Sequence, residues 1–159
     1  MKKVVAYTDG ACSGNPGVGG YGAVMNYKGA VKEVSGSEEN TTNNRMELMS
    51  VIRALETLGQ KCAVELYSDS KYIIDSVQNG WLESWKSNGW KKTTGETVQN
   101  IDLWEQLYVL LNKHRVNFNW VKGHSGDKFN ERCDELATLE IKKLSEKIER
   151  RNTVYSISS

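Results

Sequence analysis

Four carboxylates, far apart along the chain, have the surroundings that metal-assisted phosphoryl chemistry needs. Asp9 ends a β-branched run (Val4, Val5) and precedes the turn Gly10-Ala11-Cys12-Ser13-Gly14-Asn15-Pro16-Gly17, which brings backbone close to whatever the carboxylate binds. Asp69 follows another apolar run, Ala63 to Ser68. Glu47 falls in the first turns of a helix, and Asp134 lies one residue off the apolar stripe of the last helix. Gathered together, such groups repel and stay ionised cheaply only when cations occupy the site. With two histidines and three widely spaced cysteines (Cys12, Cys62, Cys133) in the chain, neither zinc nor a disulfide framework is indicated. Oxygen ligands alone favour Mg²⁺, with Mn²⁺ as a substitute. Two such ions roughly 3.5 to 4 Å apart could activate a water and stabilise the leaving oxygen of a phosphodiester.

Each acid also has an ordinary reading. Asn44 and Glu47 have capping-box spacing, Asp69 could cap the helix from Lys71, Asp134 could be a surface acid, and Asp9 could simply start a turn. The joint pattern separates the readings, and it depends on the elements that carry the acids.

Residues 3 to 9 and Tyr21 to Tyr27 read as strands, and Lys28-Gly29 turns into a third over Ala30 to Ser37. The first third should be an antiparallel meander, with Ser35 to Asn40 turning the chain away. From Asn44 the period changes, and Leu48, Val51, Ile52, Leu55 and Leu58 mark a helix stopping at Gly59. Ala63 to Ser68 is a fourth strand and Lys71 to Asn79 a short helix. The intervening helix makes strand 4 a parallel neighbour of strand 1, so Asp9 and Asp69 should leave one edge of the sheet.

Asn100 is positioned to cap a helix striped by Leu103, Trp104, Leu107, Tyr108 and Leu111, and His114 to serve its C-terminal end. Val116, Phe118 and Trp120 alternate as a fifth strand. After the loop Gly123-His124-Ser125-Gly126, Phe129, Cys133, Leu136, Ala137, Ile141, Leu144 and Ile148 stripe a final helix. The tail over 150–159 carries no periodic signal and should fray. The expectation is one α/β domain over 1–159: a five-stranded mixed sheet, strands 1 to 3 antiparallel and strands 4 and 5 parallel, flanked by helices.

Composition excludes several classes. With 159 residues, 38% hydrophobic and 26% charged, the chain suits one soluble domain. No apolar run approaches a membrane span, and Met1-Lys2-Lys3-Val4 enters a strand without a signal-peptide core, so a cytoplasmic protein with no membrane partner is expected. A net charge of +1 argues against a generally basic nucleic-acid coat while allowing a local patch. Residues 81–95 supply that patch: Trp81, Trp85 and Trp90 stand among Lys86, Lys91 and Lys92. Trp81 and Trp85 share a helix face, and the lysines can meet phosphates.

Five motifs in order, Asp9-Gly-Ala-Cys-Ser-Gly-Asn-Pro-Gly, Thr42-Asn-Asn-Arg-Met-Glu47-Leu, Ser68-Asp69-Ser70, Trp120-Val-Lys-Gly-His124 and Asn130-Glu-Arg-Cys-Asp134-Glu-Leu-Ala, closely resemble the bacterial type 1 ribonuclease H family over nearly the whole chain. The resemblance implies the ribonuclease H-like fold and a monomeric endoribonuclease that cuts the RNA strand of RNA/DNA hybrids by two-metal catalysis, leaving 5′-phosphate and 3′-hydroxyl ends. It implies that Asp9, Glu47, Asp69 and Asp134 bind the metal and that His124 assists proton transfer or product departure. An imidazole of near-neutral pKa suits that task.

By the same resemblance, Cys12, Asn15, Asn43 and Asn44 would contact the RNA strand, whose 2′-hydroxyls need short polar groups and close backbone, and Gly14 permits that approach. Thr42 would help hold a DNA phosphate. Residues 81–95 resemble the family's basic handle, whose aromatic faces accept a sugar lacking the 2′-hydroxyl without reading bases.

Two departures stand out. Lys71, grouped with the substrate contacts, replaces an uncharged amide common in relatives, and Asn79-Gly80 looks like a one-residue insertion. No hybrid-binding extension precedes the first strand, so low processivity is expected, and a single-stranded DNA-binding protein could meet the tail. The competing readings are a non-catalytic hybrid-binding module and a DNA-acting nuclease of the same fold. All four acids are present, which opposes the first. The Asn-rich loops and the Trp/Lys segment oppose the second.

Overall fold

The first forty residues build three long strands joined by tight turns: the first alternates between buried and half-buried positions, the second is buried on both faces, and the third is largely exposed. In the computed structural model, which describes residues 1–123 and 126–158 with the side chains from 156 onward excepted, β1 (Lys2–Cys12) pairs antiparallel with β2 (Gly17–Tyr27), and β2 with β3 (Ala30–Thr41). The segment from Ser35 to Asn40, expected to turn away, instead continues the ladder. Because β3 is the sheet edge, its polar side chains stay in water and polarity does not mark a turn there. β4 (Cys62–Ser68) lies parallel to β1, and β5 (Arg115–Trp120) parallel to β4, giving the order β3-β2-β1-β4-β5. This is the expected sheet.

Helix α1 (Asn43–Glu56) makes the crossover to β4. Met46, Leu48, Val51, Ile52, Ala54 and Leu55 are all buried in it, since it is enclosed between the sheet and α4 (Ile101–Lys113). It ends before Gly59, where the Thr57 N–H and hydroxyl both donate to the Ala54 carbonyl (3.3 and 2.7 Å). Helices α2 (Lys71–Gln78) and α3 (Trp81–Ser87) follow. Gly80, of the Asn79-Gly80 pair noted in the sequence, joins them with φ 74°, a left-handed geometry that glycine adopts without strain.

Helix α5 (Lys128–Ser158) covers the other face of the sheet. A Cβ at Gly22 would meet the Cys133 carbonyl oxygen at 2.6 Å, and one at Gly10 would collide with backbone atoms of Met46 and Glu47. Both helices therefore seat directly on strand backbone, α5 over β2 and α1 over β1. The tail expected to fray past Arg150 instead extends α5 to Ser158, and Arg151 pairs with Glu39 of β3 at 2.7 Å. Among the described residues no helix is long and apolar enough to cross a membrane.

Two expected caps work differently. Asn100 occupies the N-cap position of α4, but in left-handed geometry and without a side-chain cap bond. Its amide is used elsewhere, as described below. His114 stands at the C-cap, yet its side chain is buried and its Nδ1 accepts the Cys62 N–H at 3.1 Å. Burial, with Lys113 nearby, pushes its pKa down. The neutral ring ties the start of β4 to the end of α4 and supplies no charge to the helix dipole.

Candidate active site

The parallel register of β1 and β4 sets Tyr7 beside Tyr67, their rings stacked at 5.0 Å. Asp9 and Asp69, each two residues further on, leave the sheet at one end, where open α/β sheets place their ligands. Ser70 caps α2 by accepting the Ile73 N–H (3.3 Å), which releases Asp69 from the capping role open to it. Gly123 packs against it, where a Cβ would stand 3.0 Å from Asp69 Oδ2.

Glu47 arrives from the opposite element. Thr42, not Asn44, caps α1 by accepting the Arg45 N–H (3.3 Å), so the capping-box reading fails. The Glu47 side chain is only 4% exposed, and its Oε1 accepts the Gly10 N–H. That same N–H lies 3.0 Å from Asp9 Oδ1. One backbone donor thus binds the two carboxylates to each other's position.

Ligand oxygens of Asp9, Glu47 and Asp69 lie within 4.8 Å of one another. Asp134, on α5, lines the same cleft of about 620 Å³, together with Asn43, Asn44 and Lys71. Burial, then the charges of Asp69 and Asp134, push the Asp9 pKa up to about 7. Burial with Asp9 and Asp69 holds Glu47 well above the usual carboxylate range. Among the described residues no lysine or arginine forms an ion pair with any of the four. An all-oxygen donor set with this unrelieved repulsion fits a hard divalent cation.

Around the acids, the loop after β1 meets the start of α1. Cys12 Sγ donates to the Thr41 carbonyl (3.3 Å), and Asn15 Oδ1 accepts the Asn43 N–H (3.2 Å). Gly14, between them, has φ 123°. Asn15, Asn43 and Asn44 are exposed. Lys71 projects at the cleft with its Nζ 4.3 Å above the Trp120 ring. His124 lies outside the described residues.

The segment over 81–95 begins with α3, where the Trp81 and Trp85 rings stand 6.4 Å apart. Lys92 borders a groove of about 380 Å³ with those two rings. Lys86 Nζ sits 5.9 Å from the Trp90 ring and 5.5 Å from the Tyr108 ring. Lys91 Nζ donates to Thr97 Oγ1 at 2.9 Å.

Several cleft residues escaped the sequence reading: Tyr72, Asn130, Glu131 and Glu135 also line it. Asn130 stands one helical turn before Asp134, a spacing visible in the sequence once that face of α5 is known. Tyr72 had no comparable signal.

The comparisons with known proteins agree with this geometry. The sequence matches the RNase H family over residues 1–142. It is 55% identical over 144 residues to Ribonuclease H of Chlorobaculum parvum, covering 91% of this chain and 99% of that protein. It is 54% identical over 142 residues to Ribonuclease H of Francisella tularensis subsp. novicida, covering 89% and 93%. Among solved structures, LC9-RNase H1, a type 1 RNase H with the type 2 active-site motif, superposes with a TM-score of 0.79 at 34% identity, over 90% of this chain and 74% of that one. LC11-RNase H1 in complex with an RNA/DNA hybrid gives 0.69 at 27% identity, over 89% and 98%. On the five-stranded sheet, the converging acids and sequence identity above one half, the chain belongs to the bacterial type 1 ribonuclease H family.

Proposed function

We propose that this chain is an endoribonuclease that hydrolyses the RNA strand of RNA/DNA hybrids with two divalent ions, giving 5′-phosphate and 3′-hydroxyl ends. The observation that carries the proposal is the convergence of Asp9, Glu47 and Asp69 oxygens within 4.8 Å in a cleft that Asp134 also lines. These four carboxylates would hold Mg²⁺, with Mn²⁺ able to substitute. Bound there, the pair of ions would supply a water activated at neutral pH and charge neutralisation at the leaving oxygen.

The chain's own groups do the rest. The Gly10 N–H keeps Asp9 and Glu47 aligned before any ion arrives, which reduces the reorganisation needed on binding. His124 would relay a proton to or from the reacting oxygens.

Substrate contacts divide by strand. Cys12, Gly14, Asn15, Asn43 and Asn44 would meet the 2′-hydroxyl side; exposed Asn43 and Asn44 border the cleft, and the loop of Cys12, Gly14 and Asn15 is tied beside them through Asn15 Oδ1, which accepts the Asn43 N–H. Thr42 would steady a DNA phosphate. Trp81, Trp85 and Trp90 would lie against deoxyribose while Lys86, Lys91 and Lys92 neutralise the DNA backbone. Lys71, seated on Trp120 beside the acids, adds a cation for a phosphate at the cleft. The enzyme would act as a cytoplasmic monomer.

The test is a strand-labelled cleavage assay on RNA/DNA hybrid, double-stranded RNA and duplex DNA, each with Mg²⁺ and with chelator. Cutting is expected in the RNA of the hybrid and only with metal. Cleavage of duplex DNA would move the chain to a DNA-acting role, and tight hybrid binding without cleavage would make it a binding module.

A further inference from the structure

We propose that the Tyr72 hydroxyl is a positioning group that fixes the tryptophan handle relative to the carboxylate cleft. The inference rests on the reading above, in which one hybrid touches the cleft with its RNA strand and the handle with its DNA strand.

Tyr72 belongs to the first turn of α2, three residues after Asp69, and lines the cleft. Its hydroxyl oxygen accepts two bonds at once, from Trp104 Nε1 at 2.9 Å and from Asn100 Nδ2 at 3.1 Å. Each donor leads to a different part of the molecule. Trp104 is fully buried, stands edge-on to Tyr72 at 5.4 Å, and stands edge-on to Trp85 of the handle at 5.7 Å. Asn100 leads to α1: its Oδ1 accepts from Arg45 Nη1 at 3.3 Å, and Arg45, two residues before Glu47, grips Asp102 through both guanidinium arms at 2.9 and 2.7 Å. The left-handed Asn100, which does not cap its helix, is thereby accounted for. Its amide spans the gap between the Glu47 helix and Tyr72.

The handle needs such an anchor. α3 is seven residues long and has no side-chain cap at its N-terminus. Gly80 and Gly89 on either side take positive φ, as does Trp90. A helix this short is not stable by itself, so its tilt is set by what it packs on. Trp85 on Trp104, with Trp104 pinned by the Tyr72 hydroxyl, supplies a fixed seat. A stiff duplex that must engage both places gains affinity when their spacing is set in advance.

Tyr72→Phe keeps the ring and deletes the shared acceptor. In steady-state kinetics on a long hybrid, KM should rise about five- to tenfold with kcat within about twofold of the parent. Combined with Trp85→Ala, which removes the aromatic contact through which Tyr72 acts, Tyr72→Phe should add no further change in KM, the signature of coupled residues. Asn100→Gly suits the left-handed backbone and removes one donor, so it should raise KM in the same way; it decides the matter if Tyr72→Phe does not fold. A fall in kcat at unchanged KM, or a Tyr72→Phe effect that multiplies with Trp85→Ala, would overturn the inference while leaving hybrid cleavage intact. A parent enzyme that leaves the hybrid uncut would instead remove the reading on which it rests.

Discussion

Replacing Asp9 with asparagine should abolish catalysis yet stabilise the metal-free protein, and only above a particular pH. The Asp9 carboxyl is moved from its ordinary 3.8 to about 7 by burial and by the charges of Asp69 and Asp134. The folded state therefore keeps its proton between about pH 4 and 7, where the unfolded chain has lost it. Stability from this group is present below about pH 4 and declines as pH rises to 7. At ~1.4 kcal/mol for each tenfold change in proton affinity, the accumulated cost above pH 7 is on the order of 4 kcal/mol. Asn removes the charge while its Oδ1 can still accept the Gly10 N–H. In a chain of this size each kcal/mol corresponds to about 2–4 °C, so roughly 10 °C is expected.

The assay is thermal unfolding followed by circular dichroism in chelator at pH 4 and pH 8. Asp9→Asn should melt near the parent at pH 4 and well above it at pH 8. Added Mg²⁺ should close part of the gap by stabilising the parent more than the variant. An equal difference at both pH values, or a loss of stability in Asp9→Asn at pH 8, would refute the electrostatic account.

Glu47→Gln retains an oxygen for the Gly10 N–H but weakens a metal ligand. Because burial with Asp9 and Asp69 holds the Glu47 carboxyl well above its usual range, the variant should, like Asp9→Asn, melt above the parent at pH 8 in chelator and show little turnover; full activity would return Glu47 to a structural role. Gly10→Ala places a methyl against the Met46 and Glu47 backbone. It should cost about 3 kcal/mol in urea unfolding and reduce activity by separating Glu47 from Asp9; a near-native midpoint would contradict the close α1–β1 seating. Lys92→Ala should weaken hybrid binding and lower the slope of log K against log salt by about 1, with an unchanged slope removing Lys92 from the phosphate contacts. His124→Ala should slow turnover without eliminating it, and complete loss would make the histidine indispensable.

The sheet and the acids were legible in the sequence for a common reason. Strand parity and a helical crossover determine which ends of β1 and β4 coincide, so the sequence alone pairs Asp9 with Asp69. Glu47 was ambiguous because spacing from Asn44 mimics a capping box. The Arg45 N–H is instead capped by Thr42, and the Glu47 carboxylate takes the Gly10 N–H, a contact 37 residues away that no local spacing encodes. Polarity misled at β3 and at the tail, since an edge strand and the outer part of α5 both carry polar side chains into water without ceasing to be regular. Asn100 and Tyr72 were opaque for another reason. Their hydrogen bonds join positions 28 and 32 residues apart, with Arg45 a further 55 away. No local pattern encodes which buried indole will need an acceptor.

The most direct measurement is an anomalous-difference map from crystals soaked in Mn²⁺. Peaks should appear in the cleft, bounded by oxygens of Asp9, Glu47, Asp69 and Asp134, and should vanish in crystals of Asp9→Asn soaked identically. Manganese bound only elsewhere on the surface, or a cleft that stays without anomalous signal at saturating Mn²⁺, would contradict the assignment of these carboxylates as the metal-holding centre.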